Sequence, residues 1–111
     1  MTLASWLEAR SPAPPAALRE RIDAALGDDL HRESRDVFET CLAAAARLVR
    51  GLLDENATSR ESALDLLAAD ALVTHAFEAA SEQPDGLARR AAMAMTRIAE
   101  LGREAPRRVP A

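Results

Sequence analysis

The apolar repeat between Val37 and Leu53 leaves this chain little choice of fold. Val37, Phe38, Cys41, Leu42, Ala45, Leu48, Val49, Leu52 and Leu53 recur every three or four residues. That spacing puts side chains on one face of an α-helix. So long a stripe needs apolar cover, and the rest of the chain offers it as further helices. Leu3, Trp6 and Leu7 share a face of a short helix over residues 3–10, capped by Thr2. Pro12, Pro14 and Pro15 then stiffen a connector, since proline fixes φ and lacks an N–H. A second helix is predicted from Pro15 to Leu26, stopped by Gly27.

Asp28 and Asp29 place negative charge where a helix start favours it, so the long helix is predicted over 30–53. Asp54-Glu55-Asn56-Ala57 reads as a turn. Thr58 and Glu61 have the capping-box spacing and open a helix to about Glu82. At about 100° per residue, Leu64, Leu67, Ala68, Ala71 and His75 share one face of it. Leu66, Val73, Phe77 and Ala80 share nearly the opposite face, as expected of the central helix of a bundle. Gln83-Pro84-Asp85-Gly86 breaks the chain. The last helix is predicted over 87–101, with Leu87, Ala91, Ala94, Met95, Ile98 and Leu101 turned inward and Gly102 ending it. The expected fold is therefore all-α: four main helices in a bundle plus a short N-terminal helix. Residues 1–102 form one domain, and 103–111 are read as a flexible basic tail.

Charge and cysteine usage narrow the function classes. The net charge is −4, which argues against nucleic acid and anionic membranes as partners. Residues 87–111 carry +4 and the remainder −8, an asymmetry that can orient a partner or a second copy. Every basic residue is arginine, a bias that fits a GC-rich, bacterial coding sequence. Cys41 is alone and has no disulfide partner, which fits a reducing cytoplasm. Residues 1–5 lack the basic and apolar stretches of a signal peptide, and no run is long enough to span a membrane.

No catalytic, metal or cofactor set emerges from the spacing. Asp65 and Asp70 lie about 140° apart on one helix and cannot clasp one ion. Asp70 falls between two apolar stripes and is expected to be partly buried, satisfied by Thr74 or a neighbouring arginine. His75 sits on an apolar face as a packed, hydrogen-bonded residue. Gly51, inside the long helix, suggests a close approach or a bend. Trp6 either docks into a partner's groove or closes one end of its own bundle. Trp6, Asp70, Thr74 and His75 are thus the candidate interaction or polar-core positions.

The stretch Ala63-Leu64-Asp65-Leu66-Leu67-Ala68-Ala69-Asp70-Ala71-Leu72-Val73-Thr74-His75-Ala76-Phe77-Glu78 resembles one helix of the trans-polyprenyl diphosphate synthases. That helix reads approximately A-x-L-A-G-D-A-L-L-T-x-A-F-E. The likeness rests on Leu67-Ala68, Asp70-Ala71-Leu72, Thr74 and Ala76-Phe77-Glu78. The family's two aspartate-rich, magnesium-holding motifs have no counterpart. The region where the first should lie reads Ala43-Ala44-Ala45-Ala46-Arg47. The resemblance therefore implies a packing or subunit-contact helix, as in a truncated, non-catalytic relative of such a synthase. Read from its own residues, the chain is a non-enzymatic helical protein-interaction module, with a protein partner or a second copy as its ligand.

Overall fold

A computed structural model describes residues 1–10, 12–33, 36–55 and 59–104, without the side chains of Glu55 and Glu104. Among the described residues five α-helices follow one another: α1 (Leu3–Glu8), α2 (Ala16–Leu26), α3 (Val37–Glu55), α4 (Arg60–Ser81) and α5 (Leu87–Glu104). No strand occurs among the described residues. The all-α bundle of four main helices and one short N-terminal helix is the architecture observed.

Local chemistry sets most of the boundaries. The Thr2 hydroxyl accepts from the Ser5 N–H at 3.2 Å, satisfying a donor that the first turn of α1 leaves free. Gly27 ends α2 at a positive φ of 55°, which costs glycine little. The expected continuous helix from Leu30 does not form. Gly27–His31 instead winds as a 3₁₀ turn that drives Leu30 into the core. The chain then pairs briefly with the N-terminus, through a bridge between Thr2 and Glu33 and the Met1 ammonium on the Glu33 carboxylate. α3 starts only after Asp36, whose carboxylate accepts from the Glu39 N–H at 3.0 Å.

The cap of α4 also differs. Thr58 and the residues before it, 56–57, lie outside the described residues. The Ser59 hydroxyl caps the helix by accepting from the Ser62 N–H at 3.2 Å. α3 continues through Asp54 to Glu55, where a turn was expected. α5 runs past Gly102 to Glu104, because a lone glycine inside a helix costs about 1 kcal/mol and does not stop it. The rest of the predicted tail, 105–111, lies outside the described residues.

α3 and α4 pack antiparallel and form the spine of the molecule. Phe38, near the start of α3, meets Phe77, near the end of α4, with ring centroids 5.9 Å apart. Between them the contact is closed largely by methyl groups. Ala44, Ala45, Ala68 and Ala76 are all buried, with Cys41, Leu42 and Leu72 among them. The buried stripe of α4 is Ala68–Leu72–Ala76–Ala80 together with Ala69. It lies between the two apolar faces expected from the sequence, and Leu66 and Leu67 point away from it.

α2 covers one side of the spine with Ile22 and Leu26. Arg21 bonds Asp65 across that contact at 3.1 Å. α1 seals the end of α4 with Leu3, Trp6 and Leu7, all buried. α5 lies mainly against α3 and touches α4 less. Of its six residues expected to face inward, only Ala94 and Leu101 are buried; Ala91 is half-buried, and Leu87, Met95 and Ile98 are exposed. A Cβ built on Gly51 would meet no neighbour within 4 Å, so that glycine does not serve a close approach.

Candidate functional site

The four residues singled out from the sequence fall into two places. Trp6 and His75 meet where α1 covers α4, with ring centroids 5.8 Å apart and planes nearly perpendicular. The Arg10 guanidinium lies 4.1 Å from the Trp6 ring centroid, within cation–π range. Arg10 also pairs with Glu82 at 2.7 Å, which holds the Glu82 carboxyl below its usual range. Trp6 is only 3% exposed, so of its two expected roles it closes its own bundle.

His75 is packed, as expected, but not fully hydrogen-bonded. Its Nδ1 is buried without a hydrogen-bond partner among the described residues and approaches Glu78 Oε1 only to 3.5 Å. Burial lowers its pKa below 6.5, with Glu78 opposing and Arg10 and Arg19 adding to the shift. A small cavity of about 200 Å³ lies beside it, bordered by Leu7, Arg10, Arg19 and Ile22. Its two arginines are already engaged, Arg10 by Glu82 and Arg19 by Asp23 at 2.8 Å. The cavity therefore offers little free positive charge.

Asp70 corrects the expectation of a partly buried carboxylate. It does lie between the two apolar stripes of α4, but on the side away from the core, and it is exposed. Thr74 does not bond its carboxylate. The Thr74 hydroxyl donates to the Asp70 backbone carbonyl at 3.0 Å, one turn back. Asp65, paired with Arg21, sits elsewhere on the helix. No group of three or more His, Cys, Asp or Glu side chains is placed to hold a metal ion among the described residues. Cys41 is wholly buried, and burial pushes its thiol pKa up to about 12.

The main concave feature is one that the sequence reading did not isolate. α3 forms the floor of an open groove of about 640 Å³, with α4 and α5 as its walls. Ala45, Ala46, Val49 and Leu53 line the floor. Leu66, Leu67 and Val73 line one wall, and Ile98, Leu101 and Gly102 the other. Among the described residues lining it, only Asp70 and Arg97 are charged. Arg97 is bound to Glu39 of α3 at 2.6 Å, a bond that pins α5 to the floor. Leu66 is 59% exposed, Leu67 54% and Ile98 46%.

The groove did leave a trace in the sequence: α4 is apolar on more of its surface than one contact can bury. Comparison with protein-family models, with curated proteins and with solved structures gave no match. No described helix is long and apolar enough to cross a membrane.

Proposed function

We propose that this chain is a non-enzymatic helical interaction module, and that the groove between α3, α4 and α5 is its docking surface. One observation carries the reading. Large aliphatic side chains on three helices stand half-exposed around one concave surface with few charges among its described lining residues. Scattered exposed leucines are ordinary, but contiguous apolar concavities mark places where other molecules bind. Covering the exposed half of each such leucine is worth about 1 kcal/mol, a gain that folding alone leaves unused. A floor and two walls of helix also match the shape that receives a fourth helix. The single, unpaired Cys41 supports a reducing, cytoplasmic setting.

Photocrosslinking in the producing cell tests this. A photoreactive residue replacing Leu66 in the groove is expected to give protein adducts. One replacing Ala24, exposed on α2, is not. Equal adducts from both positions, or none from Leu66, overturn the reading.

A further inference from the structure

We infer that the occupant of the groove is a second copy of this chain, seated crosswise, with α5 of each copy against the α4 wall of the other. The inference rests on the groove being a docking surface, and it names the partner.

The first argument is that α5 carries more apolar surface than its own chain covers. Ala94 and Leu101 are buried, whereas Ile98 and Met95 remain 46% and 68% exposed. Met95 precedes Ile98 by one turn and the groove-lining Gly102 by two, so it shares their flank of the helix. Opposite stands α4 with Leu66 and Leu67 equally uncovered. Each copy thus holds one unfilled wall and one half-covered helix. A two-fold axis relating two copies supplies both deficits at once, because each residue pairing occurs twice.

The second argument is charge, and it selects the crossed arrangement. α4 bears Glu61, Asp65, Asp70 and Glu78 against Arg60, a net −3 with His75 neutral. α5 bears Arg89, Arg90, Arg97 and Arg103 against Glu100 and Glu104, a net +2. Pairing α4 with α4, or α5 with α5, sets like charges together. With Asp65 already paired to Arg21 and Arg97 to Glu39, α4 keeps −2 and α5 keeps +1, so pairing α4 with the α5 of another copy sets opposite net charges together. Asp70, on the groove wall, has no ion pair among the described residues. Arg103, one residue beyond the groove-lining Gly102, is exposed and likewise has no ion pair among them.

Sedimentation equilibrium of the full chain tests the inference. The protein is expected to sediment at twice 11.9 kDa in the tens of micromolar range. Leu66→Glu on α4 and Met95→Glu on α5 should each weaken association by about 30-fold or more, the effect of spoiling a central apolar contact. Both positions are exposed in the single chain, so the circular dichroism of the variants should match the parent. Asp70→Arg should weaken association as well, and salt should weaken the parent dimer. A parent that stays monomeric, or a dimer that survives either glutamate, overturns the inference. So does native mass spectrometry that finds the groove filled by a co-purifying amphiphile. If the parent is monomeric while crosslinks from position 66 capture a different protein, the second copy falls and the interaction module stands. If neither association nor crosslinks are seen, both fall.

Discussion

Truncating Leu72 to alanine tests the core at its centre. Leu72 is 0% exposed and lies on the α4 stripe between Ala68 and Ala76. Leu72→Ala removes three buried carbons, worth about 2.4 kcal/mol at about 0.8 each. A cavity term adds to this, because neighbouring alanines have no side chain to swing into the space. We expect a total near 3–4 kcal/mol, within the range for buried leucines. A chain of this size has about 5–15 kcal/mol in all, so the loss is a large fraction of its stability. With a urea dependence of about 1.5 kcal/mol per molar, the unfolding midpoint should fall by about 2 M. Trp6, the only tryptophan, sits between α1 and α4 and reports that contact by fluorescence. Circular dichroism reports the helices, and coincidence of the two transitions checks two-state behaviour. Leu67→Ala, at a half-exposed site, is the control and should cost under about 1 kcal/mol in dilute protein. If Leu72→Ala costs no more than Leu67→Ala, the α3–α4 contact is not the core described above.

Two further outcomes follow from the buried titratable groups. With its thiol pKa near 12 and no exposure, Cys41 should react with iodoacetamide only as fast as the protein opens. A fast labelling phase in native buffer would contradict that burial. Burial makes the folded state hold His75 neutral, so the unfolded chain takes up its proton first as pH falls below 6.5. Stability from this ring is therefore full above that pH and declines with acid. His75→Gln should flatten the urea midpoint between about pH 7 and pH 5, and an unchanged slope would clear His75 of the effect.

Much of this fold is legible in the residues. Thr2, Gly27 and the Val37–Leu53 stripe mark elements through chemistry that acts within a few residues, and those elements form where expected. The start of α3 is not legible in the same way. Asp28 and Asp29 suit a helix N-terminus, but the pull of Leu30 into the core favours a tighter turn. The faces of α4 show the deeper reason. Angles around a helix fix which residues share a side, but not which side meets a neighbour. Leucine stripes flank an alanine stripe, and the alanines take the contact because their size lets two helices close together. The candidate site inherits that ambiguity. Asp70 was placed correctly between two stripes, and only the position of α3 decides that this side opens to solvent.

The alanine-closed spine also sets the direction in which this sequence can drift. At Ala44, Ala45, Ala68 and Ala76 nearly every replacement is larger, and overfilling a close contact costs about 1–3 kcal/mol. Growth at those sites is penalised whatever its chemistry. Within the single chain, Leu66, Leu67, Met95 and Ile98 face no such ceiling, since their side chains are exposed. Folding thus leaves the groove lining free to change while the helices behind it stay as they are, so any selection on those positions must come from something other than stability.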